Sequence, residues 1–336
     1  MIYLSIIVPV LNEEKYIANT LNLLINQKYP KNRYEIIVVD GMSTDKTKDI
    51  VKKFIDEYPE VNLRLIENPG RLSSRARNIG VHESKGKLIA VIDGHVYISR
   101  NDLFSAMESI KEDNQVMCLS RPAPLDVPGL NEGKAYWIAI ARKSWLGHSR
   151  SSYIYSDYEG ICDPVSSGFA YDRKVFDLVG GFDESFDAAE DVEFHYRIKR
   201  AGITAYTSPR LRIYSYPRES LMSLFKQQTR YGEGRARFVK KYPEGFTVET
   251  AIPMSIFSYH LLLPIMLIGI NIVPIISISY FGLLILYWLI LIITGLKEAH
   301  YRNKYIPGLF IALAIWITHM ALGFGFLKYI FISKLE

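Results

Sequence analysis

Carboxylate side chains stand at the ends of two apolar runs in the first part of the chain. Asp40 opens the turn Asp40–Thr47, and Asp93 follows the run Leu88–Ile92, two residues before His95. A carboxylate in this position can accept hydrogen bonds from a nucleobase or a ribose. An aspartate followed by an imidazole can bind Mg²⁺ or Mn²⁺, which would hold a diphosphate. Taken singly, each segment is also typical of an ordinary turn.

A third pair of carboxylates, Glu190 and Asp191, opens a predicted helix over Glu190–Arg200. Negative side chains are favourable at the positive end of a helix dipole, which is a sufficient structural explanation for such a pair. The functional alternative is a general base. Asp191 would remove the proton from an attacking hydroxyl, and Glu190 would orient Asp191 or contact the acceptor.

A basic segment, Gln227–Arg237, follows the apolar residues Leu221, Leu224 and Phe225, which recur at helical spacing. This pattern predicts an amphipathic helix on a membrane surface. Its arginines can bind anionic lipid headgroups. Alternatively, Arg230 and its neighbours approach a diphosphate or the acceptor.

The pattern around these residues predicts a mostly parallel α/β sheet. Apolar residues recur at helical spacing between four strand-like runs. The runs are Ser5–Pro9, Glu35–Asp40, Leu63–Ile66 and Leu88–Ile92. Short apolar strands separated by helices are typical of a parallel sheet covered on both faces. Ligands bind beyond the carboxyl ends of such strands, where Asp40 and Asp93 lie.

The middle of the chain is less regular. Residues Arg121–Gly133 are rich in proline and glycine and indicate a loop. The stretch Tyr136–Tyr158 mixes Trp, Tyr, Arg and His, a composition that suits an active-site loop or lid.

The chain after Ala251 is almost entirely apolar. Its three runs, Ile252–Ile270, Ile272–Ile293 and Tyr305–Leu327, are long enough for a bilayer, which takes roughly 20 residues. The break Lys297–Lys304 is basic, and the positive-inside rule places it in the cytoplasm together with the preceding domain. We therefore expect a multi-pass protein of the cell membrane.

Composition narrows the class further. The chain has 336 residues and a net charge of +5, from 40 basic and 35 acidic residues, with no long run of one sign. Nothing here favours a nucleic-acid partner. Two cysteines, Cys118 and Cys162, make neither a disulfide framework nor a zinc site, which favours a reducing, cytosolic compartment. The N-terminal run lacks the features of a signal peptide.

Taken together and in order, these segments resemble the family 2 glycosyltransferases over roughly residues 4–240. The order of the segments carries the resemblance. The matching segments are the opening strand Ser5–Glu14, the turn Asp40–Thr47, the helix motif Arg75–Gly80, the triplet Asp93–His95, the pair Glu190–Asp191 and the element Gln227–Tyr231.

The resemblance implies a GT-A catalytic domain with a Rossmann-like, mostly parallel sheet over residues 1–216. A juxtamembrane segment over 217–250 and about three transmembrane helices over 251–336 would follow. It also implies roles for individual residues. The nucleotide sugar would be bound by Pro9, Val10, Glu13, Asp40, Arg71, Arg77 and Asp93; Mn²⁺ or Mg²⁺ by Asp93 and His95; the acceptor or diphosphate by Gln227, Arg230 and Tyr231.

The implied reaction is an inverting, metal-dependent transfer of a sugar, with Asp191 as the base and Glu190 beside it. The preferred donor is a UDP-sugar. The acceptor would be a hydroxyl of a lipid-linked saccharide, in the assembly of cell-surface polysaccharide or glycolipid. Membrane lipid is the other expected partner.

Three positions depart from the family pattern. Gly41 and His95 each replace an aspartate, and Tyr231 replaces a tryptophan, so a processive polymerase is not implied. The variants at 41 and 95 and the short trailing helix set are similar to the succinoglycan-type exopolysaccharide branch.

Other functions remain compatible with the sequence. A polyprenyl- or dolichyl-phosphate sugar synthase would have a phosphate acceptor, which needs no base at Asp191. A catalytically inactive membrane scaffold would not bind nucleotide. A nucleotidyltransferase uses a related sheet, although the Glu190–Asp191 helix and the basic juxtamembrane element disfavour it.

Overall fold

The computed structural model describes residues 1–148, 152–302 and 304–332. The chain forms two compact units. The first, here called the sheet unit, consists of Met1–Pro128 and Ser151–Tyr216; the second, the helical unit, consists of Gly129–Arg150 and Pro217–Glu336.

The strands and helices are numbered along the chain. The strands are β1 Leu4–Val10, β2 Tyr34–Asp40, β3 Leu63–Glu67, β4 Leu88–Val91, β5 Val96–Tyr97, β6 Cys118–Ser120, β7 Gly160–Cys162, β8 Gly168–Asp172, β9 Ala205–Thr207 and β10 Tyr214–Ser215. The helices are α1 Ile17–Ile25, α2 Thr47–Glu57, α3 Ser73–Glu83, α4 Leu103–Asp113, α5 Gly133–Lys143, α6 Arg173–Val179, α7 Glu190–Arg200, α8 Leu221–Lys241, α9 Val248–Leu261, α10 Leu263–Ile268, α11 Pro274–His300 and α12 Gly308–Ile332.

Eight strands form one sheet in the order β3-β2-β1-β4-β8-β6-β9-β7. The first four strands are parallel, β8 runs antiparallel to both of its neighbours, and β9 is parallel to β6. The predicted mostly parallel α/β sheet is therefore confirmed. In this register Val10 pairs with Asp40 and Asp40 pairs with Glu67, so β1, β2 and β3 end at one level.

Both faces of the sheet are buried, which explains the continuous apolar runs. Ile6 of β1 belongs to a core cluster with residues of α1 and α4. Its neighbour Ile7 belongs to a second cluster with residues of α3, α6 and α7. Successive side chains of a strand point to opposite faces, so these two clusters are the two sides of the sheet.

The helical unit contains α5, which overlaps the stretch Tyr136–Tyr158 predicted as a loop or lid. That prediction is wrong for Tyr136–Lys143, which is helical. The physical reason is its apolar face: Ile138, Ile140 and Ala141 pack in one cluster with residues of α8, α11 and α12. Contacts therefore group α5 with the C-terminal helices, whereas the sequence analysis assigned it to a domain over residues 1–216.

Two described helices are long and apolar enough to cross a membrane, α11 over Pro274–His300 and α12 over Gly308–Phe331. A third span exists if the segments Val248–Leu261 and Leu263–Asn271, bent by 40° at their junction, count as one. The predicted number of about three is thus an upper value. Half of the predicted basic loop is also helical, because α11 continues to His300.

Candidate functional site

The loops that follow β1 and β2 are hydrogen-bonded to each other. The amide of Asn12 donates to the Ser43 hydroxyl at 2.9 Å, and the amide of Thr44 donates back to the Asn12 side chain at 2.9 Å. The amide of Glu13 donates to the Thr47 hydroxyl at 2.8 Å. Two of the predicted nucleotide-binding segments are therefore joined into one polar surface at the carboxyl edge of the sheet.

Asp40 lies at the floor of this surface and is fully buried. One carboxylate oxygen, Oδ2, accepts a hydrogen bond from the Ser43 amide at 2.9 Å. The other oxygen, Oδ1, is buried and has no partner among the described residues. Because buried polar atoms are normally paired, this oxygen is a ready acceptor for an N–H or O–H of a ligand.

Gly41, which follows Asp40, has little room for a side chain. A Cβ there would lie 3.2 Å from the carbonyl oxygen of Arg71 and 3.3 Å from that of Val10. The Gly41 amide also donates to the Val10 carbonyl at 2.8 Å. This close approach accounts for glycine at the position where the family pattern has a second aspartate.

Left-handed backbone is concentrated in the same loops. Non-glycine residues with φ between 56° and 62° are Asn12, Met42, Arg71 and Ala189; Gln115, at 52°, lies after α4. Such conformations cost energy and cluster at functional sites. Ala189 immediately precedes the carboxylate pair that begins α7.

Arg77 of α3 joins two of the predicted site carboxylates. Its Nη1 is 2.8 Å from Glu190 Oε1, and its Nη2 is 3.8 Å from Asp93 Oδ1. Burial alone would lower the pKa of this guanidinium, but Glu190, Asp93 and Asp191 outweigh burial and raise it. Arg77 is therefore charged, and its buried Nε has no partner among the described residues.

Asn78, the next residue, holds the loop that precedes α7. Its Oδ1 accepts from the Phe182 amide at 2.8 Å, and its Nδ2 donates to the Phe182 carbonyl at 2.8 Å. Nδ2 is also 2.9 Å from Glu184 Oε1. The Arg-Asn pair of α3 thus has two tasks, since Arg77 binds the carboxylates of Asp93 and Glu190 and Asn78 fixes the loop that leads to α7.

Asp93 and His95, the predicted metal ligands, lie in the turn after β4. Burial would raise the pKa of the Asp93 carboxyl, but Arg77, His95 and Arg121 lower it below its ordinary value. Its side chain is 40% exposed, so the ionised group is accessible. Nδ1 of His95 is 2.7 Å from Glu13 Oε1, which places Glu13 against the imidazole.

Asp93 is the kind of donor that a hard divalent cation prefers. Among the described residues, no group of three or more His, Cys, Asp or Glu side chains is placed to hold a metal ion. Mg²⁺ commonly binds through one or two carboxylates together with substrate phosphates and water. Asp93 supplies an exposed, ionised carboxylate of this kind.

Glu190 and Asp191 occupy different environments although they are adjacent. Glu190 is buried against Arg77, and burial raises the pKa of its carboxyl group despite that neighbour. Asp191 is exposed, and its Oδ1 accepts from the Val192 amide at 2.8 Å. The exposed carboxylate is the one that a substrate hydroxyl could reach.

Arg121 is a site residue that the sequence analysis did not identify. It follows β6, is only 9% exposed, and donates from Nη1 to the Ile213 carbonyl at 3.1 Å. Its guanidinium lies 5.7 Å from the ring centre of Phe169, and its charge contributes to the lowered pKa of Asp93. The available signal was a basic residue directly after a strand, within a stretch interpreted only as a loop.

The remaining predicted site residues are distributed over both units. Gln227, Arg230 and Tyr231 lie on one side of α8 in the helical unit, and the Gln227 amide is 3.4 Å from the Tyr231 hydroxyl. Pro9 and Val10 end β1 beside Asp40. Arg71 is exposed in the loop before α3, and its amide donates to the Asn68 carbonyl at 3.1 Å.

Comparison with family models gives two matches. The model described as glycosyl transferase family 2 matches residues 5–180. The model described as glycosyl transferase family group 2 matches residues 148–328.

Two curated relatives cover most of the chain. It is 27% identical over 334 residues to the dolichyl N-acetyl-alpha-D-glucosaminyl phosphate 3-beta-D-2,3-diacetamido-2,3-dideoxy-beta-D-glucuronosyltransferase of Methanococcus voltae, across 98% of this chain and 97% of the relative. It is 28% identical over 257 residues to the succinoglycan biosynthesis protein ExoA of Rhizobium meliloti, across 75% and 74% of the two chains.

Among solved structures, the fold is similar to that of the mannosyltransferase PcManGT from Pyrobaculum calidifontis, determined in complex with GDP-Man and Mn²⁺. The TM-score is 0.63 at 16% identity, covering 98% of this chain and 87% of the other. At this identity the likeness establishes the fold alone.

Proposed function

The chain belongs to glycosyl transferase family 2, and from this premise we propose that it is an inverting, metal-dependent enzyme. It moves a sugar from a nucleoside-diphosphate sugar to a hydroxyl of a lipid-linked saccharide. The observation that carries the proposal is the position of Arg77. One guanidinium contacts Asp93, the proposed metal ligand, and Glu190, the neighbour of the proposed base.

The nucleoside is bound at the joined loops after β1 and β2. The unpaired Asp40 oxygen accepts a hydrogen bond from the base or the ribose, and the backbone beside it is provided by Pro9, Val10 and Arg71. Glu13 holds His95 as well as facing this surface. UDP-sugars are the donors to test first, with GDP-sugars as the comparison.

The diphosphate is held by the positively charged groups around Asp93. A divalent cation bound at Asp93, beside His95, would stabilise the negative charge that develops on the departing nucleoside diphosphate. Arg77 and Arg121 lie close enough to Asp93 to affect its pKa. Both cations therefore supply charge on the diphosphate side of the site.

The step is a single displacement at the anomeric carbon. The acceptor oxygen forms a bond to this carbon from the face opposite the diphosphate, and the bond from carbon to the diphosphate oxygen breaks. Its electron pair leaves with the nucleoside diphosphate. Asp191 takes the proton of the attacking hydroxyl, and Glu190, held by Arg77, orients this turn of α7.

The acceptor side of the proposal is supported by the relatives. The Methanococcus voltae protein, which matches over nearly the full length of both chains, is named for transfer to a dolichyl-linked N-acetylglucosaminyl phosphate. The Rhizobium meliloti relative is named for succinoglycan biosynthesis. We assign the acceptor accordingly to lipid-linked saccharides of polysaccharide or glycolipid assembly, contacted by Gln227, Arg230 and Tyr231.

We also propose a multi-pass membrane arrangement. Its spans would be α11 and α12, with the bent pair Val248–Leu261 and Leu263–Asn271 as a third, and the length and apolar composition of these helices support it. Lys297 lies in the last turn of α11, and Arg302 and Lys304 follow that helix; by the positive-inside rule we assign this basic segment to the cytoplasm. The sheet unit is then cytoplasmic, where nucleotide sugars are available.

The test is release of nucleoside diphosphate by the full chain in membranes, with UDP- or GDP-sugars, lipid-linked saccharides and Mn²⁺ or Mg²⁺. We expect release that requires metal and that Asp191→Asn reduces by a factor of roughly 10² to 10⁴. Asp56→Asn, at an exposed position of α2, is the matched control and should leave release unchanged.

Each other outcome has a distinct meaning. Release that survives Asp191→Asn contradicts a hydroxyl acceptor and favours a phosphate acceptor. Release that survives chelation contradicts metal dependence. Absence of both release and donor binding favours an inactive scaffold.

A further inference from the structure

A buried polar pair behind the proposed base joins α7 to the sheet. We propose that Tyr171 and His195 form a positioning pair that sets the placement of the first turn of α7, and through it the carboxylate of Asp191. This inference rests on the proposed function, since it assigns no contact between the pair and the substrate. It concerns how the base is held.

The geometry of the pair is specific. Tyr171 lies on β8 and His195 on α7, and each is only 2% exposed. The Tyr171 hydroxyl is 2.6 Å from Nε2 of His195. The Tyr171 side of the pair is apolar, because the rings of Phe176 and Phe194 pack edge-on against Tyr171. A polar pair in such a place must be satisfied internally, so each partner fixes the position of the other.

Gly168, the first residue of β8, makes the space that His195 occupies. A Cβ at this position would lie 2.7 Å from Nε2 of His195. The Gly168 backbone also hydrogen-bonds the imidazole. The preceding residue, Ser167, accepts a hydrogen bond from the Arg121 amide at 3.1 Å. His195 is thus fastened to the strand end that lies beside the proposed diphosphate contacts.

Asp191 depends on the backbone of α7 for its position. Among the described residues, its one hydrogen bond is from the amide of the next residue, Val192. His195 lies four residues further along the helix, so the two side chains are on one face. Glu190 is held separately by Arg77 at 2.8 Å. The turn that carries Asp191 is therefore fixed at two points, one charged and one neutral.

The neutrality of the pair suits a positioning role. Burial lowers the pKa of His195 to about 4, against a smaller opposing effect of Asp191. At neutral pH the imidazole is uncharged. The neutral imidazole can bind Tyr171 without adding a positive charge beside Asp191. Arg77 already supplies one positive charge near that carboxylate.

The test compares steady-state kinetics of the full chain with Tyr171→Phe, which removes one hydroxyl and little volume. We expect kcat to fall about 10- to 100-fold, because small displacements of a catalytic group are costly. The KM for the nucleotide sugar should stay within about twofold of wild type. Gly168→Ala, which displaces His195, should give the same division between kcat and KM.

Three further variants separate positioning from general destabilisation. Tyr34→Phe is the matched control, since Tyr34 is also fully buried, but its hydroxyl bonds Ile25 and Lys31 at the start of β2. It should leave kcat unchanged. His195→Gln, which keeps a hydrogen-bonding group for Tyr171, should retain more activity than His195→Leu.

The results divide cleanly. A Tyr171→Phe enzyme with wild-type kcat, or with the same kinetics as Tyr34→Phe, overturns the positioning role and leaves the proposed function intact. Equal activity of His195→Gln and His195→Leu also overturns it. A wild-type chain that binds nucleotide but transfers no sugar to any acceptor overturns both proposals.

Discussion

The two ends of strand β2 carry buried acids in opposite situations. Glu35, near the start, is fully buried, and both of its oxygens are satisfied by Ser5 at 2.6 Å, the Lys85 amide at 2.5 Å and Arg64 at 2.8 Å. Asp40, at the end, is equally buried, but one of its oxygens has no partner.

This difference separates a residue that holds the fold from a residue that we propose binds the nucleotide. An unsatisfied buried acceptor costs free energy in the absence of a partner. The carboxyl edge also carries the left-handed residues Asn12, Met42 and Arg71. In the described chain no non-glycine residue with positive φ occurs between Asn12 and Met42, the stretch that contains Glu35. The unfavourable free energy of strained backbone and of an unpaired oxygen is therefore concentrated at the edge where we propose that a ligand binds.

The largest predicted effect on stability is at the satisfied end. Glu35→Gln puts an amide where three donors converge, and it removes the buried carboxylate that contacts Arg64 at 2.8 Å, leaving only Glu83 at 3.9 Å as a charged partner among the described residues. We expect the free energy of unfolding of the sheet unit to fall by about 3 to 5 kcal/mol. Both cysteines of the chain, Cys118 and Cys162, are buried in this unit, so their rate of thiol labelling measures its opening.

Nucleotide affinity is the second readout for the same variant. The folded Glu35→Gln protein should bind nucleotide as wild type does, since Glu35 lies at the other end of the strand. Suppose instead that Glu35→Gln keeps its cysteines protected from labelling but binds nucleotide more weakly. The two ends of β2 would then not have separate roles.

The sheet could be predicted from the sequence because each strand is a short, continuous apolar run. The runs at β1 to β4 were predicted within one or two residues, and the helix Glu190–Arg200 with the observed bounds. The position of α5 was not predictable in this way. Its Trp, Tyr and Arg residues suggested a lid, and only packing against distant helices makes it part of the helical unit.

The same distinction between local and distant contacts applies to the site residues. Asp40, Asp93 and Asp191 each lie at the end or the start of an element, so spacing and order predicted them as site residues. Arg121 and His195 were missed because their importance depends on partners far along the chain: Arg121 acts on Asp93, and His195 meets Tyr171. A single sequence does not encode such pairs in its spacing.

The next largest effect is the pH dependence of stability, which comes from His195 at the carboxyl edge. Burial lowers the pKa of His195 from an ordinary 6.5 to about 4, with Asp191, Arg77, Asp163 and Tyr171 facing it. The unfolded chain therefore binds a proton near pH 6.5 that the folded chain refuses until about pH 4. Stability from this residue is complete above pH 6.5 and is lost as pH falls, by up to about 3 kcal/mol.

Thiol labelling of wild type and His195→Gln at pH 7 and pH 5 measures this contribution. The wild-type protein should lose more stability over this range than the variant does, because the variant has no imidazole to protonate. Equal losses would mean that acid acts elsewhere in the sheet unit.

The smallest effect is expected from Asp40→Asn, the same carboxylate-to-amide change at the other end of β2. The amide oxygen can still accept from Ser43, while the amide nitrogen replaces the unpaired oxygen and turns an acceptor into a donor. We expect nucleotide affinity, measured by calorimetry on the full chain, to weaken roughly 10- to 100-fold, or about 1 to 3 kcal/mol. Unfolding should change by less than about 1 kcal/mol, since no internal bond is lost. If Asp40→Asn instead destabilised the unit as Glu35→Gln does and bound nucleotide normally, the unpaired oxygen would have a structural role, and the carboxyl edge would not be the nucleotide site.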